Sequence, residues 1–169
     1  TGSNHFCAID DSGVVCWGGN NYGQLNVPPL VNPTQVSSGA RHTCAIDDLG
    51  VTCWGDLDPE GGVTFGNTNV PELINPKQVS SGSGHTCALD DSGVVCWGRN
   101  TYGETVVPTL SNPTAVATGK DHSCAIDDTG VVCWGRDNKK QLQVPALSNP
   151  TQITTLNDHI CALDDSGVV

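Results

Sequence analysis

Apolar residues come in short runs along this chain, three or four at a time, separated by glycine, proline, asparagine and aspartate. CAI (7–9) and GVVC (13–16) show the pattern: β-branched and small apolar residues, at a length that suits a strand and is too short for a helix. The DDSG that joins them (10–13) has the carboxylates and the glycine of a tight reversal, so the pair predicts a β-hairpin. A third run, TQVSS (34–38), alternates apolar and polar residues just after an Asn-Pro and predicts another strand. A weaker fourth is expected near QLNV (24–27). Helical periodicity is absent, and the expected class is all-β.

The pattern repeats. CA(I/L)DD begins at Cys7, Cys44, Cys87, Cys124 and Cys161, with steps of 37, 43, 37 and 37 residues. Around it recur an NPTQVSSG-like segment, a His two residues before the Cys, a GVVCWG-like strand and a loop that ends in Val-Pro. Approximate repeats are 1–36, 37–79, 80–116 and 117–153, with a partial repeat at 154–169, in a single repeat domain. About four short strands in a period of about 40 residues is what a propeller blade needs. All five His, all nine Cys and all four Trp fall at repeat-equivalent positions. A catalytic site is normally present once, so residues copied into every repeat point to architecture.

Hairpin geometry assigns the cysteines. If the turn holds two or four residues, Cys7 faces Cys16 and the two share one side of the ribbon; a three-residue turn would put them on opposite sides. The expected disulfides are Cys7–Cys16, Cys44–Cys53, Cys87–Cys96 and Cys124–Cys133. Cys161 is left unpaired, its partner falling at position 170, and the chain reads as a segment of a longer array. Each link closes a small loop, which the chain-entropy model values at roughly 2.5 to 3 kcal/mol.

Composition narrows the setting. Nine Cys without a single Met is heavy for a reducing cytosol and ordinary for a secreted, disulfide-stapled protein, so the expected location is extracellular or at the cell surface. With 18 acidic residues against 7 basic ones, the formal charge of −11 would repel a phosphate backbone, which disfavours nucleic acid as a partner. No run of eighteen apolar residues is present, so no membrane-spanning helix is expected, and the first ten residues have neither the basic nor the apolar region of a secretory leader.

VSSGARHTCAIDDLGVTCWG (36–55) and WGGNNYGQL (17–25) resemble the repeat of the regulator of chromosome condensation family: a Gly, a His, a small apolar strand, a Gly turn and WG, then N-x-x-G-Q-L. The short period looks most like the bacterial members, among them a propeller-type inhibitor of β-lactamase, and the paired Cys look like a secreted variant. The resemblance covers essentially the whole chain and implies a β-propeller, commonly of seven blades, that binds proteins rather than performing chemistry. Seven blades of about 37 residues need about 260 residues, so four repeats and a remnant make an incomplete ring or a piece of an array that runs on as an open spiral or fibre. Lys139 and Lys140 stand where other repeats have Tyr22-Gly23 and Tyr102-Gly103, and Leu156 replaces the Gly of Gly39, Gly82 and Gly119.

The chemistry-bearing residues admit other readings. His5, Cys7 and Cys16 would offer three zinc-type ligands, without a fourth and without the usual Cys spacing. A Cys–His hydrolase would need a free thiolate, which a disulfide removes; no enzymatic activity is expected. The pairs Asp10-Asp11, Asp47-Asp48, Asp90-Asp91, Asp127-Asp128 and Asp164-Asp165 would gather charge on one rim, or simply form the turns. Repeat two carries six extra residues within DLDPEGGVTFGN (56–67), where Asp56, Asp58 and Glu60 alternate before Gly61 like the start of a calcium loop. Pro59 interrupts that loop, and Asn67 stands where a bidentate Glu would close it. Asn32, Asn112 and Asn149 are each followed by Pro, which disfavours N-glycosylation.

The expected function is therefore a non-enzymatic, extracellular, disulfide-stapled repeat scaffold that contacts proteins or copies of itself through the loops after WG (18–26, 55–69, 98–106 and 135–143). An extracellular fibre component is one form of this. Inhibition of a secreted enzyme is the alternative, and nucleotide exchange on a small GTPase conflicts with the disulfides. No resident cofactor is expected beyond a candidate calcium ion.

Overall fold

The structure, a computed structural model, describes residues 2–56 and 64–169, and every regular element among them is a strand. β1 (His5–Asp10) pairs with β2 (Gly13–Gly18). Four three-stranded antiparallel sheets follow in chain order. β3 (Gln35–Ser38), β4 (His42–Asp47) and β5 (Gly50–Gly55) form one, and β6 (Gln78–Ser81), β7 (His85–Asp90) and β8 (Gly93–Gly98) the next. β9 (Ala115–Thr118), β10 (His122–Asp127) and β11 (Gly130–Gly135) come third. The last is β12 (Gln152–Leu156), β13 (His159–Asp164) and β14 (Gly167–Val168). As structural units the sheets begin slightly before the approximate repeat boundaries; β3, for instance, spans the boundary at 36/37.

Each hairpin turns through two residues. Asp10 pairs with Gly13, leaving Asp11 and Ser12 at the tip, and the same register recurs in all five repeats. The glycines that close these turns, Gly13, Gly50, Gly93, Gly130 and Gly167, have φ between 109° and 121°. An added Cβ would meet almost nothing at any of them, so conformation rather than space selects glycine. The even loop places the cysteines opposite one another, and Cys7–Cys16, Cys44–Cys53, Cys87–Cys96 and Cys124–Cys133 are bonded, while Cys161 is free and exposed.

The fourth strand expected near QLNV is replaced by a turn. Gln24 is buried there, and its side-chain oxygen accepts the Tyr22 N–H at 2.8 Å, which winds the backbone away from an extended course.

The five sheets stand side by side as propeller blades in an open arc: β1 packs on β3, β3 on β6, β6 on β9 and β9 on β12. The core lies between sheets. The middle strands β4, β7 and β10 are buried at every position, and one cluster joins Cys44 and Ile46 to Val79, Ala88 and Trp97 of the next repeat. At the two ends of the arc burial falls away, with Phe6 and Trp17 of the first sheet 45% and 51% exposed.

Polar residues of the inner strands have a part in this. The Val79 N–H donates to Oε1 of Gln35 and the Ser81 N–H to Oγ of Ser37, while Val116 and Thr118 bond in the same way to Gln78 and Ser80. Edge donors that would otherwise be bare are thereby satisfied by the preceding repeat.

Candidate functional site

The histidines, cysteines, tryptophans and paired aspartates that stand out in the sequence are brought to two places: the joints between repeats and the hairpin tips.

At the joints, Nε2 of His5 lies 2.7 Å from Oγ1 of Thr43, His42 2.7 Å from Thr86, and His85 2.9 Å from Oγ of Ser123. Thr43 and Ser123 give their hydroxyl protons to the carbonyls of Gln24 and Glu104, so they accept from a protonated Nε2. The histidines are neutral. Burial, reinforced by His85 and His5, lowers His42 to about 3; burial, opposed chiefly by Glu104, lowers His85 to about 4. His5 and His122 are lowered in the same direction, also by burial.

The tryptophans lock the loops. Nε1 of Trp54, Trp97 and Trp134 donates to the carbonyls of Gln24, Asn67 and Glu104 in the loop of the preceding repeat, at 2.8 to 3.0 Å. The residues that supply those carbonyls are themselves buried. The first three loops after WG are thus tied down at their centres, leaving Tyr102 and Val106 as large exposed apolar points among the described residues of these loops.

Between the third and fourth repeats lies a charge network with no repeat equivalent. Arg99 bonds to Glu104 at 3.0 Å and to Asp121, and Asp121 also receives Arg136 at 2.8 Å. Arg136 covers the Tyr102 ring. Glu104 is fully buried and Asp121 nearly so, and each of these carboxylates has an arginine partner.

At the tips the first aspartate of each pair is a turn-former. Oδ1 of Asp47, Asp90, Asp127 and Asp164 accepts the N–H two residues on, while Oδ2 accepts the N–H of Val31, Ile74, Ser111 and Ser148 respectively. Asp10 makes the first of these bonds. The second aspartates, Asp48, Asp91, Asp128 and Asp165, accept from Nδ2 of Asn32, Asn75, Asn112 and Asn149 at 2.6 to 2.8 Å. Those asparagines have φ near +50°, and the bond helps to hold that left-handed turn. The Ser12 hydroxyl holds Asp10 below the usual carboxylate range, as the Ser111 N–H does Asp127 and the Ser166 hydroxyl Asp164. At Asp90 burial pushes upward and is outweighed by bonds from Ser92 and Ile74, so its pKa is also lowered.

Asp58 and Glu60 of the candidate calcium loop lie outside the described residues. Asp56 is buried, with Oδ2 accepting the Phe65 N–H at 3.1 Å. Asn67 is fully buried and faces Nδ1 of His42 at 3.4 Å. No three His, Cys, Asp or Glu side chains gather as a metal site among the described residues. The sulfurs of the proposed His5, Cys7 and Cys16 set are joined to each other.

The family model described as the regulator of chromosome condensation (RCC1) repeat matches residues 1–24, 77–104 and 114–141. These three segments carry the RCC1 repeat. The matched segments fall on the first, third and fourth repeats. No curated protein matches the sequence.

Among solved structures, the ectodomain of the receptor kinase CR4 from Physcomitrella patens is 21% identical with a TM-score of 0.79, over 98% of this chain and 49% of that one. Prp20p from Saccharomyces cerevisiae, described with its binding properties to Gsp1p and histones, is 18% identical with a TM-score of 0.80, over 97% of this chain and 54% of its own. Prp20 has also been crystallised bound to Kap60. The ectodomain of ACR4 from Arabidopsis thaliana is 24% identical with a TM-score of 0.73, over 96% and 58%. The chain spans about half the length of the structures it matches, which share with it the propeller architecture.

Two features escaped sequence reasoning. The hydroxyl one residue after His42, His85 and His122 is visible as H-T-C or H-S-C, yet nothing local shows that it serves the preceding repeat. The Asn-Pro segments, 16 residues before the tips they brace, carry no signal of that partnership beyond their own recurrence.

Proposed function

We propose that this chain is a non-catalytic, extracellular scaffold of RCC1 repeats, which works through contacts with other proteins or by assembly with copies of itself, an extracellular fibre being one form of that assembly. One observation carries the reading. Apart from Cys161 and the outermost repeats, the described histidines, cysteines, tryptophans and carboxylate pairs, the residue types from which a reactive site would be built, are taken up repeat after repeat in joints, staples and turns. Four disulfides within a short chain fit an oxidising compartment. Prp20p, of the same architecture, is described with protein partners. The net charge of −11 argues against nucleic acid.

Inhibition of a secreted enzyme is supported less well. An inhibitor wants aromatic anchors on its contact face, whereas the concave surface at the axis of the arc is lined by Gly39, Gly82 and Gly119 with serines, threonines, Lys120 and Leu156. Electron microscopy of the protein from its native source tests the reading: fibres or complexes with another protein are expected, and isolated single chains at working concentration would overturn it. A thiol titration under denaturing conditions tests the compartment, with one reactive thiol expected before reduction and nine after.

A further inference from the structure

The tip of the second hairpin departs from its siblings. In the other four repeats the residue before the closing glycine is Ser or Thr, and its hydroxyl bonds to the first aspartate at 2.6 Å: Ser12 to Asp10, Ser92 to Asp90, Thr129 to Asp127 and Ser166 to Asp164. In the second repeat that residue is Leu49. The turn loses one of its hydrogen bonds, and a leucine stands in solvent at 83% exposure, the most exposed of the large apolar residues described. Neither effect helps the fold.

Leu49 forms one wall of a groove between the second and third tips. Leu73 and Pro76 line it as well, and Leu73 also packs on the core cluster beneath, so the groove has a firm apolar floor. Ile74, between two lining residues, is 56% exposed, and Val31, whose carbonyl accepts the Asp48 N–H, is 45% exposed. The corresponding positions in the fourth and fifth repeats are Ser111 and Ser148, so this part of the rim alone is apolar.

Acids flank the groove. Asp48 is exposed and gives one oxygen to Asn32. Asp91 already holds a cation, Lys77, at 2.7 Å, in an exposed pair of the kind a competing cation readily displaces. An apolar cleft with carboxylates at its edges, on a chain of charge −11, complements a segment that carries apolar and basic residues together. We infer that the groove of Leu49, Leu73 and Pro76, flanked by Asp48 and Asp91, is a docking site for a basic, apolar-bearing peptide segment of a partner protein. The inference rests on the scaffold reading and gives its partner a chemistry.

The test uses the whole chain and three fluorescent nine-residue peptides, alternating Lys and Leu, Glu and Leu, or Lys and Ser, read by anisotropy. The Lys-Leu peptide is expected to bind, and the other two at least tenfold more weakly. Leu49→Ser installs the residue its siblings already have, so the fold is kept, and it should weaken binding at least fivefold. Asp48→Asn should weaken it about threefold and flatten its salt dependence. Unchanged binding by L49S, or equal binding of the Glu-Leu peptide, would overturn the site. So would self-association of the chain that L49S abolishes, since the groove would then be covered by a second copy. If the peptide fails while fibres or protein complexes are still seen by microscopy, the groove assignment falls and the scaffold reading stands; single chains in the microscope would remove the scaffold reading itself.

Discussion

Ile160 occupies the position from which a hydroxyl serves the preceding histidine at other joints, and Nε2 of His122 is buried without a partner. His85 at the joint before has Ser123 in that role at 2.9 Å. The same joint lacks other links: Ala115 and Ala117 stand where Gln78 and Ser80 bond forward to Val116 and Thr118, and Leu156 stands where Gly82 and Gly119 do. What remains includes the Lys120 N–H to Asn157 carbonyl bond and the exposed Lys139–Asp158 pair. The fifth repeat is therefore expected to open first. Hydrogen exchange should show amides of β12 and β13 exchanging at least tenfold faster than those of β6 and β7. Ile160→Thr should slow them and add about 1 kcal/mol of stability by giving Nε2 its acceptor.

Acid should act in two stages. The folded pKa values of His42 and His85, about 3 and about 4, lie below the 6.5 of the unfolded chain, so the unfolded state takes up protons first as pH falls. The stability these neutral rings contribute is complete above about pH 6.5 and is lost progressively down to about pH 4 for His85 and about pH 3 for His42, on the order of 3 kcal/mol for His85 at about 1.4 kcal/mol per unit. Asp10, Asp90, Asp127 and Asp164, all lowered from 3.8, hold their contribution above that value and lose it only below it. Urea midpoints measured from pH 7.5 to 3 should fall first between 6.5 and 4 and again below 4. His85→Gln should flatten the first fall and leave the second.

The disulfides should differ in worth although each spans nine residues. Loop closure alone is worth about 2.6 kcal/mol for any of them in the chain-entropy model. Cys87 is fully buried among Leu89 and Val116, so replacing Cys87 and Cys96 by Ala also leaves a cavity, whereas Cys7 and Cys16 sit on a half-exposed sheet. Chemical denaturation should show the Cys87/Cys96 pair costing at least 1 kcal/mol more than the Cys7/Cys16 pair. Equal costs would mean that only the loop matters.

Local chemistry was the legible part of the sequence. DDSG fixed the turn, the even turn fixed which cysteines meet, and the period fixed the propeller, because each depends on neighbours within about ten residues or on their recurrence. The weak fourth strand failed for the opposite reason. QLNV alternates like a strand, but Gln24 turns inward to cap the Tyr22 N–H and to be covered by Trp54 from 30 residues on. The acidic rim was half legible: the turn-forming role of Asp47 could be read at its own tip, whereas its second bond, to Val31, joins segments that only the folded repeat brings together.

Gly82 tests the joints at a point of close backbone approach. A Cβ there would lie 2.4 Å from the Gly119 carbonyl oxygen and 2.8 Å from Cε1 of His85. That same carbonyl accepts the Ser83 N–H at 3.2 Å, so the two backbones cannot part without losing the bond. Gly103, with φ of 83°, has nothing within 4 Å of its would-be Cβ. Gly103→Ala should therefore cost only backbone strain, about 1 kcal/mol. Gly82→Ala should cost on the order of 3 kcal/mol, because it forces apart two repeats whose histidine and hydroxyl must stay in register. Thermal unfolding of the two variants side by side decides it. A Gly82→Ala protein no less stable than Gly103→Ala would show that the glycine column is not what sets the spacing of the blades.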